Sequence, residues 1–419
     1  MDIKSHVLPV AKFTPEMKAT HTILMPDMLS FHFEIVRKVL GREGYKVDVL
    51  STTHPEIIQH GLRSVHNDTC YPALLVAGQF MDALLSGKYD TDKVALMIMQ
   101  TGGGCRASNY VSLLRKALHK QGLGHIPVIT FNLAGMLDKS SGFRLTPNTL
   151  RKMLYAVIYG DFMMAIHNQV LPYEVTSGES LKVVSTWTDR IAAMSGRSFF
   201  KLRKNCRAIL EDFGKIERDT TRNKVKVGIV GEIYVKYAPL GNNELEKFLF
   251  EHNAEVINSG LLDFLLYGAC TYIHDRKLYG TSKTKQVGFK MLLKYALRMQ
   301  RVMRTEVQRQ GLFRSAADFR EVIKISEDYL SHAVKMGEGW LLPAEMAEYI
   351  MHGVPNIVIV QPFGCLPNHI IAKGMMRKIK DNFPHANIAA IDYDPGASRV
   401  NQENRLKLML ANAEKTHKK

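Results

Sequence analysis

The sequence is poor in cysteine, in acidic residues and in long apolar runs, and each shortage excludes a class of protein. Five cysteines in 419 residues (Cys70, Cys105, Cys206, Cys270 and Cys365) fall far below the density of a disulfide-stapled secreted chain. The odd count leaves one thiol over in any all-disulfide scheme, so a reducing compartment, the cytoplasm, is expected. No two cysteines form a CxxC pair, which argues against an ordinary structural zinc ribbon. No stretch reaches the roughly 20 uninterrupted apolar residues of a bilayer span. Residues 150–164 come nearest and are broken by Arg151, Lys152 and Asp161. Met1 to Thr14 lacks the apolar core and cleavage site of a signal peptide, so neither export nor a membrane partner is expected. Thr101 to Gly104 is glycine-rich, but no GxxxxGK[ST] phosphate loop follows. Gly228-Ile229-Val230-Gly231-Glu232 lacks the GxGxxG spacing of a dinucleotide turn.

What remains is ordinary in bulk, with 46% hydrophobic and 23% charged residues, which fits a globular chain with room for several cores. The charge is not ordinary. Lys+Arg 56 against Asp+Glu 40 leaves +16, a balance that favours anionic partners: nucleic acid, phosphorylated cofactors or acidic proteins. The basic run Lys285 to Arg304, including Lys290, Lys294, Arg298 and Arg301, has little of the aromatic interleaving that stacks bases. It reads as a helix face turned to solvent or a partner, and no nucleic acid is expected.

Short apolar runs alternate with helical spacing. Residues 21–26, 47–50, 94–99 and 126–131 read as strands, with helices over 30–44, 78–86 and 110–120 between them. Residues 147–217 are helical. The alternation restarts with strands at 226–233, 254–257, 357–360 and 388–391, with helices at 243–250, 369–380 and 399–411 and a helical insertion over 285–336. Strands alternating with helices make parallel sheets. The expected fold is α/β, two Rossmann-like or flavodoxin-like parallel-sheet lobes joined by a helical region. The expected division is 1–146, 147–222 and 223–419. Near the end, Asp392-Tyr393-Asp394-Pro395-Gly396 has turn chemistry and Ser398 suits a helix N-cap.

In open parallel sheets, ligands gather beyond the carboxyl ends of the strands. Two cysteines fall there. One strand runs into Gln100-Thr101-Gly102-Gly103-Gly104-Cys105-Arg106, another into Gln361-Pro362-Phe363-Gly364-Cys365-Leu366-Pro367-Asn368. Both read strand, Gln, turn, Gly-Cys, helix. Cys70, in His66-Asn67-Asp68-Thr69-Cys70-Tyr71-Pro72, occupies a third such loop. A helix N-terminus after a thiol lowers its pKa toward the thiolate that metals require. Three thiolates with His66 or His369 would also suit zinc. Cys206 and Cys270, inside helical runs, read as small buried hydrophobes. Glu232 after a strand and His369 after Cys365 are weak catalytic candidates. Gln100, Arg106, Ser108, Asn109, Gln361 and Asn368 flank the thiols and are candidates for contacts to a bound group or substrate.

At HNDTCYPALLVAGQ, QTGGGCRASNY, QPFGCLPNHI and IDYDPGASRVNQENRLKLML, from Phe13 to Leu410, the chain resembles the 2-hydroxyacyl-CoA dehydratase D-component superfamily. The likeness is closest to the C-terminal part of the large activase-related proteins of anaerobic bacteria. The resemblance implies an oxygen-sensitive [4Fe-4S] or double-cubane cluster held by Cys70, Cys105 and Cys365. It also implies a lyase reaction, in which one low-potential electron reaches an acyl-CoA thioester and the resulting ketyl expels a hydroxyl group. The electron comes from an ATP-hydrolysing activator with its own iron-sulfur cluster. This chain has no recognisable ATPase segment, so the activator would act in trans or be part of a longer fused architecture. The resemblance leaves open a double-cubane reductase of a small molecule, or a non-catalytic relay or scaffold for an activase. It also suggests a homo- or heterodimer.

Overall fold

A computed structural model of the chain describes residues 9–100, 104–132, 142–194 and 199–417. In the first lobe, β1 (Thr22–Pro26), β2 (Lys46–Leu50), β3 (Val94–Gln100) and β4 (Val128–Asn132) form a parallel sheet in the order β2-β1-β3-β4. Between them run α1 (Ser30–Arg42), α2 (Glu56–Ser64), α3 (Tyr71–Leu85) and α4 (Tyr110–Lys120). The helices of the middle segment are α5 (Pro147–Val170), α6 (Glu179–Ala193) and α7 (Phe199–Gly214).

The second lobe repeats the plan. Strands β5 (Val225–Gly231), β6 (Ala254–Asn258), β7 (Asn356–Pro362) and β8 (Asn387–Tyr393) pair in parallel in the order β6-β5-β7-β8. Its helices are α8 (Ile233–Tyr237), α9 (Leu245–Glu251), α10 (Leu261–Tyr279), α11 (Lys283–Gln310), α12 (Phe319–Glu327), α13 (Leu341–Met351), α14 (Lys373–Asn382) and α15 (Arg399–His417). The chain is thus the expected α/β protein with two parallel-sheet lobes. Every residue of β7 is buried, as a strand covered by helices on both faces requires.

Local chemistry sets several boundaries. Thr146 caps α5 by accepting the Thr149 N–H at 3.1 Å, with Pro147 in the first turn, where its missing N–H costs nothing. Helix α3 begins at Tyr71, seven residues before the spacing suggested, because it is buried on nearly every face and shows no amphipathic period. Asp394 closes the turn before α15, accepting from the Gly396 N–H at 2.7 Å, and Ser398 directly precedes the helix. The basic face of α11 is exposed at Lys290, Lys294, Arg298 and Arg301. Arg304 departs from it, donating to Asp318 at 2.8 Å and to the Ala316 carbonyl at 2.9 Å.

The lobes are packed together. One apolar core joins Leu24 and Leu96 of the first sheet to Val227, Val358 and Val360 of the second. A second core sets α5, α6 and α7 against α1, α11 and α13. Asp161 of α5 pins this junction. It accepts from His32 Nε2 of α1 at 2.7 Å and from the Leu261 and Leu262 N–H groups at the start of α10, at 2.8 and 2.7 Å. Among the described residues, no helix is long and apolar enough to cross a membrane.

Candidate functional site

A parallel sheet of this strand order has its crevice where the connections diverge, between β1 and β3 in the first lobe and between β5 and β7 in the second. Three cysteines lie around these crevices, each at the start of a helical segment. Cys70 is the N-cap of α3. Cys105 precedes the 3-10 turn Arg106–Asn109 that leads into α4. Cys365 precedes a helical stretch that passes through the π-helical turn Asn368–Ala372 into α14.

The loops meet across the lobes. The Tyr71 N–H donates to the Phe363 carbonyl at 2.9 Å, which joins the Cys70 loop to the Cys365 loop. Gly364 has φ +73°, and a Cβ there would stand 2.9 Å from Cys70 Cα, so only glycine fits both the backbone and the space. The Cys105 loop reaches the second lobe through Gly104, whose added Cβ would meet Met336 Sδ at 2.3 Å. Next to Met336, Gly337 lies against Pro367 of the Cys365 loop. The segment Met336–Glu338 therefore sits between the Cys105 and Cys365 loops.

Each sulfur faces a hydrogen-bond donor. Asn368 Nδ2 donates to Cys365 Sγ at 3.2 Å, the Ala107 N–H donates to Cys105 Sγ at 3.4 Å, and the Tyr110 hydroxyl lies 3.6 Å from Cys70 Sγ. Such donors favour thiolate over thiol. Burial nevertheless wins. It pushes the Cys105 thiol up to about 12 and raises those of Cys70 and Cys365 as well, with the carboxyls of Glu232 and Glu338 adding to the effect. The expected lowering by helix N-termini is overturned, because glycine- and proline-rich loops that read as open are enclosed by the opposite lobe. Thiols raised in this way stay protonated near neutral pH.

Two acids accompany the thiols. Glu232 caps α8, accepting from the Val235 N–H at 2.9 Å. Glu338 accepts from the Ile233 N–H at 2.9 Å with one oxygen, while its other oxygen has no partner. Burial and the nearness of the other carboxylate push Glu232 upward; burial dominates the rise at Glu338.

The flanking candidates separate by role. Gln100 Oε1 accepts from the Val111 N–H at 3.1 Å and Ser108 Oγ donates to the Cys105 carbonyl at 2.6 Å, so both shape the Cys105 turn. Arg106 and Asn109 are exposed, and the charge of Arg106 favours ionisation of Cys70. Gln361 and Asn368 are fully buried. Gln361 Nε2 donates to the Asn368 carbonyl at 3.3 Å, and the amide oxygens of both lack partners. His369 is half-buried and its N–H donates to the Cys365 carbonyl at 3.2 Å. Thr101 to Gly103 lie outside the described residues. Cys206 and Cys270 are buried in helical cores, as expected. His66 is exposed, its Nδ1 accepting from the Asp68 N–H at 3.2 Å.

Sequence reasoning missed Tyr110, Tyr234, Glu338 and Asp27. Asp27 directly follows β1, the same strand-end position that drew attention to Glu232, and its Oδ1 is buried without a partner, as is the Tyr234 hydroxyl. Among the described residues, no three His, Cys, Asp or Glu side chains converge closely enough to hold a single metal ion. A polynuclear cluster spaces its thiolates farther apart than one ion does, and the donor set of three thiols, each facing an N–H or O–H group, suits it chemically. No protein-family model matches the chain, and no curated protein matches it.

Proposed function

We propose that the chain is an iron-sulfur component of the 2-hydroxyacyl-CoA dehydratase type, with Cys70, Cys105 and Cys365 as ligands of a [4Fe-4S] or double-cubane cluster. What supports this reading is that three cysteines from distant parts of the chain lie at helix starts in loops that meet across two lobes, each sulfur facing a hydrogen-bond donor. When bound, such a cluster supplies one-electron chemistry at an iron that three thiolates leave open. Asn368, the Ala107 N–H and Tyr110 stabilise the thiolate forms and tune their electron density. Glu232 and Glu338, with raised pKa values, hold protons near neutral pH beside the thiols. Loop contacts between the lobes bury Cys70 and Cys365 and leave Cys105 half-buried. The electron donor in this reading is an ATP-dependent activator with its own cluster. The substrate is acyl-CoA-like, and the +16 charge suits both the phosphates of coenzyme A and an acidic protein.

Anaerobic purification tests the proposal. The expected product is brown, carries iron and sulfide in comparable amounts and gives an electron paramagnetic resonance signal on reduction. Cys365→Ser should remove most of the iron and Cys206→Ser should not. Material without iron and sulfide, or equal loss in both variants, refutes the assignment. Mixing with an activator, ATP and a panel of 2-hydroxyacyl-CoA thioesters then separates a catalyst from an electron relay.

A further inference from the structure

Helix α10 ends at Gly280, whose left-handed φ of +68° stops it, and α11 returns along it, so residues 261–310 make a helical hairpin. Only the second half of α11 is anchored in the body of the protein. Its buried residues begin at Ala296 and continue with Met299, Val302, Met303 and Val307, in the core shared with α5 and α7. The first half, Lys283 to Tyr295, is about 20 Å long and holds to α10 by one face. On that face Phe289 stacks on Tyr272 with ring centroids 4.3 Å apart, and Gln286 Nε2 donates to the Ile273 carbonyl at 3.1 Å.

The outward face is apolar where a solvated face would be polar. Val287, Met291, Leu292 and Tyr295 are exposed, Met291 to 69%, and a Cβ at Gly288 among them would stand in open space. At about 100° per residue these positions cover a stripe roughly 140° wide. Lys283, Lys290, Lys294 and Arg301, all exposed, run along one edge of the stripe, and exposed Lys285 borders the other. No acid interrupts them: residues 276–303 contain eight Lys and Arg and no Asp or Glu. Such a ridge excludes most partners. A second copy of the chain would set eight cations against eight. Nucleic acid would meet Val287, Met291 and Leu292 at the centre, which neither stack on bases nor hydrogen-bond. An acidic protein would need a groove shaped to a convex helix, whereas a fluid layer of anionic lipid accepts one directly. The apolar stripe enters the acyl boundary and the lysine stems reach back to the phosphates.

We propose that the outward face of α11 is a docking surface for an anionic lipid bilayer, which holds the protein against the membrane without crossing it. Surface attachment requires no spanning helix, and none exists among the described residues. The proposal departs from the sequence expectation of no membrane partner, which rested on the lack of a spanning run. The stripe supplies the apolar contact, and the lysines supply a preference for anionic headgroups that salt screens. The inference is independent of the iron-sulfur reading, since it uses none of the residues assigned to the thiol site.

Cosedimentation of the full-length chain with lipid vesicles tests the proposal. Binding is expected with vesicles of equimolar phosphatidylcholine and phosphatidylglycerol, should weaken as salt is raised, and should be absent with phosphatidylcholine alone. Met291→Glu should weaken it by about tenfold, and Lys290→Glu with Lys294→Glu by on the order of a hundredfold. The same change of net charge on α14, Lys373→Glu with Lys380→Glu, should weaken it far less. All five positions are exposed, and an unchanged Tm in each variant shows that the fold is intact. No binding to the anionic vesicles, or equal binding by Met291→Glu and the parent, overturns the proposal. So does an equal loss in the α14 variant. Binding to soluble polyglutamate that matches vesicle binding in strength and in its dependence on Met291 would assign the face to an acidic protein and also overturns the proposal.

Discussion

The two lobes share a strand order and also a placement of chemistry, which makes their differences informative. In each, the first strand runs directly into an acid, Asp27 after β1 and Glu232 after β5, and the third carries a Gln at its last or next-to-last position, ahead of a Gly-Cys turn. What differs is the connection to that third strand. In the first lobe it is residues 51–93 and carries a further thiol, Cys70. In the second it is residues 259–355, more than twice as long, and carries the helices, the buried acids and Glu338. The common skeleton thus positions two thiols and two acids, and each lobe adds what the other lacks.

That comparison can be broken most severely in the second lobe. Lys236→Met removes the buried cation that donates to Glu345 at 3.0 Å and strands that carboxylate, so unfolding in urea should show a loss of about 3–5 kcal/mol. The two Gly-Cys turns should respond unequally. Gly364→Ala places a Cβ against the Cys70 backbone at a left-handed φ, and a loss of about 2–3 kcal/mol is expected. Gly104→Ala meets only the flexible end of Met336 and should cost less than about 1 kcal/mol. Comparable losses would mean that the two turns are equally constrained.

The junction between the lobes should be sensitive to acid. His167 of α5 is buried 5.1 Å from the ring of Phe31 in α1, and burial lowers its pKa to about 4. The unfolded chain therefore binds this proton first, and the stability contributed by neutral His167 is present above about pH 6.5 and is lost as pH falls toward 4. His167→Gln should flatten the dependence of Tm on pH across that window. A smaller effect is expected at alkaline pH. The protein should lose stability above about pH 8.5, where unfolded thiols ionise and the half-buried Cys105 thiol, pushed up to about 12, does not, and Cys105→Ala should reduce that loss.

The strands were legible because runs such as Val94 to Met99 and Ile357 to Val360 are continuous, apolar and short, and the repeated Gln-to-Cys turns stood out at their ends. Helix α13 was not, since Glu345 and Glu348 interrupt the apolar pattern that its burial otherwise requires. Tyr110 and Glu338 come near the thiols only through contacts between distant segments, to which local periodicity is blind. The upward direction of the thiol pKa is hidden from the sequence for the same reason: the loop that covers Cys70 comes from the far end of the chain.

The contact between Gly364 and Cys70 also carries a consequence for biosynthesis. Nearly 300 residues separate Cys70 from Cys365, and at roughly 5–20 residues per second a ribosome needs about 15–60 s to make them. During that interval Cys70 and Cys105 have no opposite lobe to cover them, and they are open to premature oxidation or to capture by stray metal. The nascent first lobe is therefore a vulnerable stage, and slow translation or oxidising conditions during synthesis should lower the yield of correctly folded chains.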